Sequence, residues 1–223
     1  MKRSNFISQL FLSLLVVGVL AFNLPMVLAT SSGASPEPQT AQQIVDKLLR
    51  DNNIPAEKVR SVKLDNQNVF NAYTDGQNIV MTQKLWNALK TNDERAFVLS
   101  HELGHIMANH VTKSVFRSAG FSIFTRIVAS ATGNPWIANG TSLGLQLANM
   151  KFSRLQETQA DERGIIEMKT AGYNPNAALV VFKVLKEGAG KGRGVEFLQT
   201  HPLPESRIRE LVNKYGLKDD PSA

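Results

Sequence analysis

The run His101-Glu102-Leu103-Gly104-His105 concentrates the chain's most informative chemistry. On a helix, residues four apart lie on nearly one face, so the two imidazoles could converge on one metal ion. Glu102 then stands about a quarter-turn away, within reach of a water on that ion and clear of the ligands. This set predicts hydrolysis. The ion would acidify water and polarise a carbonyl, while Glu102 would carry a proton from the water to the leaving group. The chain has no cysteine, which excludes disulfide frameworks, thiolate metal sites, iron–sulfur clusters and thiol nucleophiles. Any metal must therefore use nitrogen and oxygen donors.

Two imidazoles leave a zinc site incomplete. A third histidine ten residues after the first fails, because that position is Val111. His110 is one residue off, rotated far from the pair on a continuous helix, and reads as structural. Glu157 is the better third ligand. Asp161 follows it by four residues, so one carboxylate can bind metal while the next accepts the free ring N–H of a liganding histidine and fixes its tautomer.

The elements that must position these groups can be sketched from local signals. Thr40 and Gln43 have capping-box spacing, and Ile44, Val45, Leu48 and Leu49 form one stripe, predicting a helix over 41–51. Residues 59–64, 69–74 and 78–82 read as strands, with Asp75-Gly76 as a tight turn, making a small antiparallel sheet. Strand 78–82 could present an edge to an extended substrate. Thr91 with Glu94 opens a long helix through His110 towards Val115. Further helices are expected over 151–169, over 175–187 and from near Glu205, with Gly172 and Pro175 as punctuation. Residues 115–131 are apolar, interrupted by Arg117 and Arg126, with 133–140 as a loop and 141–150 again helix-like; over 115–150 core packing is the first reading, ahead of a cleft cover or a membrane-touching hairpin. Residues 188–194 read as a flexible loop, and Trp86, Trp136 and the Phe residues as core or cleft wall.

Several motifs recur in a recognisable order. They are Asn71-Ala72-Tyr73 with Asp75-Gly76, His101 to His105, Ser153-Arg154 with Glu157 and Ala160-Asp161, Ala171-Gly172-Tyr173-Asn174-Pro175, and Thr200-His201-Pro202 with Arg207. As a set, over about residues 71–207, they resemble the M48 family of zinc metallopeptidases. The resemblance implies an α+β, zincin-like (gluzincin) domain, mainly helical with a small antiparallel sheet beside the metal helix. It implies one Zn2+ per chain on His101, His105 and Glu157, Glu102 as catalytic residue, and His201, Arg207 and Arg154 at the cleft. His201 is a candidate for donor to a tetrahedral oxyanion or for a fourth zinc ligand at rest. The implied activity is endopeptidase action on protein or peptide substrates, misfolded envelope proteins among them, in envelope quality control. The rival is a zinc-retaining peptidase fold that binds envelope proteins as a chaperone or adaptor without turnover.

The remaining sequence sets the context. With 223 residues and 43% apolar content, an ordinary core can form. The net charge of +6 is dispersed, so no nucleic-acid partner is expected, while peripheral membrane contact is permitted. Lys2 and Arg3 precede an apolar run over 10–22, and Val27-Leu28-Ala29 suits cleavage. Residues 1–29 thus read as a signal peptide for export to the periplasm, with an uncleaved amino-terminal membrane anchor as the alternative. A linker over 30–39, a peptidase domain over 40–218 and a tail over 219–223 complete the expected organisation.

Overall fold

The computed structural model describes residues 38–119, 151–190 and 196–219. The signal peptide, nearly all of the linker, the apolar stretch beyond Ala119, Trp136, most of the Gly-rich loop and the end of the tail lie outside the described residues. Helix α1 (Ala41–Asp51) opens as the capping box predicts. The Gln43 N–H donates to Thr40 Oγ1, and the Thr40 N–H donates to Gln43 Oε1 at 2.8 Å. Its apolar stripe, Ile44, Val45, Leu48 and Leu49, is buried, each such side chain contributing about 1.5–3 kcal/mol.

After a short 3-10 turn, strands β1 (Ser61–Asp65), β2 (Ala72–Thr74) and β3 (Asn78–Thr82) form one sheet in the order β1-β3-β2. β2 and β3 are antiparallel, joined at Asp75-Gly76. There the Asp75 carboxylate accepts the Gln77 and Asn78 N–H groups, and Gly76 has φ 99. β1 pairs with β3 in parallel, so the sheet is mixed rather than antiparallel. The hairpin inserts β3, with Ile79 and Met81 fully covered, in the middle. β3 consequently has no free edge and cannot serve as the substrate edge anticipated for it. β2 is also shorter than expected. Thr82 Oγ1 donates to Val69 O and accepts the Asn71 N–H, replacing ladder bonds with side-chain bonds.

After α2 (Gln83–Ala88), helix α3 (Asn92–Met107) is capped by Thr91, which accepts the Glu94 N–H. It is buried along almost all of its length from Ala96 to Ile106. Its principal partner is α5 (Arg154–Thr170), which starts at Ser153 with a capping box to Gln156. Glycine permits the close approach of the two helices. A Cβ on Gly104 would lie 2.9 Å from the Ala160 carbonyl oxygen, and one on Gly164 would lie 3.0 Å from Ser100 Oγ and 3.2 Å from the His101 nitrogen.

α3 does not run through His110. It ends at Met107, Asn109 takes φ 54, a left-handed conformation asparagine tolerates, and α4 (His110–Ala119) starts on a new course. Helices α6 (Ala177–Gly190), α7 (Phe197–Thr200) and α8 (Glu205–Tyr215) follow. Among the described residues no helix is long and apolar enough to cross a membrane.

Candidate metal centre

α3 presents His101 and His105 on its face towards α5, and the first turn of α5 returns Glu157 to them. A fourth group arrives from the residue closing α7. His201 is completely buried, packed flat against Phe197 at 4.4 Å between ring centroids and against Phe152 at 5.3 Å. The four side chains form a group able to hold a metal ion. His101 Nε2 lies 3.1 Å from His105 Nε2 and 3.3 Å from His201 Nδ1, and Glu157 Oε1 lies 3.0 Å from His201 Nδ1 and 3.4 Å from His105 Nε2.

Those separations permit a test of fit. Nitrogen and oxygen donors about 2.0–2.1 Å from a tetrahedral zinc stand about 3.3 Å from one another. The donors here, three nitrogens and one oxygen, span 3.0–3.4 Å across these four contacts. Both Glu102 oxygens and His201 Nε2 are buried without a hydrogen-bond partner, 3.6 Å separating Glu102 Oε1 from His201 Nε2. Glu102, Glu157 and Asp161 are buried carboxyls with Arg207 as their buried guanidinium, a balance that a divalent cation would complete. The residues fit such an ion.

Around these donors lies a ring of supporting bonds. Asp161 Oδ1 sits 2.9 Å from His101 Nδ1, so the carboxylate accepts that N–H and leaves Nε2 bearing a lone pair. Arg207 is 1% exposed; it donates to both Asp161 oxygens, to Glu157 Oε2 at 2.7 Å and to the Pro202 carbonyl at 2.6 Å. It is therefore an internal brace and offers no surface to a substrate, contrary to the cleft position expected for it. Arg154 is exposed and pairs with Glu210 of α8 at 2.8 Å, outside the group of buried donors. Phe152 and Phe197 are among the phenylalanines expected as core or cleft wall, whereas sequence reasoning missed the role of Gln159; its 49-residue separation from His110 carries no local signal.

The electrostatics follow from burial and from this packing. Burial raises the pKa of Glu102, more than His201 and His101 lower it. Burial drives His105 well below the usual imidazole range, the state a metal ligand requires. For Glu157 burial acts upward, yet His201, His105 and His101 together hold the carboxyl well below its ordinary value. Burial alone would lower His201, but the Glu157 and Glu102 carboxylates outweigh it and raise the group.

Residues 36–214 match the sequence model of peptidase family M48. The chain belongs to this family. M48 is a family of metallopeptidases, so the resemblance read from the motifs holds, and with it the zincin-like α+β class. The mitochondrial metalloendopeptidase OMA1 of Arabidopsis thaliana is 31% identical over 148 residues, 66% of this chain and 30% of that protein. The beta-barrel assembly-enhancing protease of Escherichia coli (strain K12) is 28% identical over 162 residues, 68% of this chain and 33% of that one. Metalloprotease LoiP of the same organism is 28% identical over 136 residues, 58% of this chain and 54% of the relative. The chain thus spans about a third of the length of the first two M48 relatives.

Proposed function

We propose that this chain is a zinc-dependent endopeptidase with His101, His105 and Glu157 as zinc ligands, Asp161 as the carboxylate behind His101, and Glu102 as general base. The observation that carries the reading is the cluster of four buried donors, all within 4.8 Å of one another, with the unpartnered Glu102 carboxylate beside it. When bound, zinc supplies Lewis-acid polarisation of a carbonyl and acidifies water. Glu102, its pKa raised by burial, takes the proton of the attacking water and delivers it to the leaving amine. Arg207 and Asp161 hold Glu157 and His101 in place throughout.

His201 completes a four-donor set, and a hydrolytic site needs one position open. The reading best supported is that His201 closes the centre at rest and withdraws when substrate enters. The substrates proposed are proteins or peptides of the cell envelope, with quality control as the role and the periplasm as the location. Support comes from the likeness to a beta-barrel assembly-enhancing protease and from the signal-peptide pattern of residues 1–29.

Casein digestion by wild type and Glu102→Gln, at equal measured zinc content, tests the enzyme reading. Hydrolysis by wild type and a loss of at least a hundredfold in the variant support it. Equal inactivity of both, with protein binding intact, favours the chaperone or adaptor instead.

A further inference from the structure

We propose that His110 and Gln159 are positioning residues that hold His105 in its Nδ1–H tautomer, leaving Nε2 to face the other donors. The inference rests on the metal-centre reading above and extends it to residues outside the donor set. His110 is completely buried; its Nδ1 lies 3.1 Å from His105 Nδ1, and its Nε2 lies 3.0 Å from Gln159 Oε1.

The direction of the bonds in this chain is set from the Gln159 end. An amide oxygen only accepts, so His110 Nε2 carries the proton that reaches Gln159. A neutral imidazole has one N–H, which leaves a lone pair on His110 Nδ1 to accept from His105 Nδ1–H. His105 Nε2 is then unprotonated, and this is the atom 3.1 Å from His101 Nε2 and 3.4 Å from Glu157 Oε1. The opposite polarity would set two acceptors against each other at Gln159 and place a proton on His105 Nε2, inside the donor group. Asp161 performs the equivalent service for His101 with a charge. The His105 side is served by neutral groups, which add no further buried carboxylate to a centre already holding three.

The backbone is shaped for this contact. On an uninterrupted helix a residue five positions on would be rotated by about 140° from His105. The left-handed Asn109 breaks the helix and brings the His110 ring back to it. Gln156 Nε2 donates to the His110 carbonyl at 3.2 Å and to Ser114 Oγ at 3.0 Å, tying the start of α4 to α5. One helix thus supplies the Glu157 donor, the Gln159 acceptor and the tie that holds His110 between them.

The test uses wild type, His110→Ala, Gln159→Leu and Gln159→Glu. Two readouts are taken: the His105 tautomer in zinc-free protein by 15N NMR of the imidazole nitrogens, and zinc affinity by chelator competition. The wild type should show Nδ1–H on His105. His110→Ala and Gln159→Leu should populate the other tautomer and weaken zinc binding by roughly 10–100-fold. Gln159→Glu, which keeps an acceptor in place, should restore both readouts towards wild type; Gln159→Leu serves if His110→Ala does not fold. Nε2–H on His105 in the wild type overturns the proposal, as does wild-type affinity in Gln159→Leu. Equal loss in Gln159→Leu and Gln159→Glu also overturns it, since that pattern belongs to packing alone. A wild type that binds no zinc sinks the metal reading instead, and the zinc-free tautomer still decides this one.

Discussion

Asp161 accepts from His101 through one oxygen while Arg207 grips both. Asp161→Asn replaces an acceptor with an amide N–H2, which must face either the imidazole N–H or the guanidinium and can satisfy neither. Zinc affinity should fall by roughly 10–100-fold, read by chelator competition; affinity within twofold of wild type would show that Asp161 does not orient His101. His201→Ala removes only the fourth donor. If His201 closes the resting site, the variant retains zinc and cleaves casein faster than wild type; a slower rate at equal zinc content would make His201 the oxyanion donor instead. His101, His105, Glu157 and Asp161 were legible in the sequence because each pair sits four apart on one helix. The bracing role of Arg207 was not, since its partners lie 46 and 50 residues away and burial alone turned a cleft candidate into an internal counter-ion.

The α3–α5 crossing decides whether the donors meet. A methyl group on Gly104 would meet the Ala160 backbone, which cannot rotate aside. Gly104→Ala should therefore force α5 outward, costing about 1–3 kcal/mol and separating Glu157 from the histidines. Urea unfolding and zinc titration check this, and an alanine variant with unchanged stability and affinity would refute the close-packed crossing. Caps were legible at Thr40 and Thr91, because capping is chemistry between neighbours. The polarity of β1 was not, since parallel pairing with β3 is decided by where the hairpin inserts. The break after Met107 escaped notice for a related reason. The helical pattern continues across it, and only the left-handed Asn109 marks the interruption.

The donors come from three separated stretches of chain, so the site exists only in the folded molecule and zinc binding is linked to folding. At free zinc a hundred times its Kd, linkage contributes about 2.7 kcal/mol. Stripping the metal with a chelator should lower Tm by roughly 5–10 °C, measured by calorimetry; an unchanged Tm would mean that the folded chain binds no ion. Glu167 gives the molecule a separate pH response. Its carboxyl is buried, with one oxygen unpartnered and the other held by Arg163, and burial pushes its pKa up to about 7 against an ordinary 4.5. Between those values the folded chain keeps a proton that the unfolded chain has released, so this group's contribution to stability falls as pH rises from about 4.5 to 7. Glu167→Gln should remove that slope and be more stable at pH 8 by up to about 3 kcal/mol. Parallel stability curves for the two proteins from pH 5 to 8 would contradict it.

The backward step at Asn109 has a consequence for how this stretch of chain can vary. A residue added to or removed from the helical part of the segment between His105 and His110 would turn the break at Asn109, and the ring beyond it, by about a hundred degrees about the helix axis. Asn109 itself has few substitutes, since its left-handed φ of 54 is one that most side chains resist, and the four-residue interval works as a ruler cut to a single length.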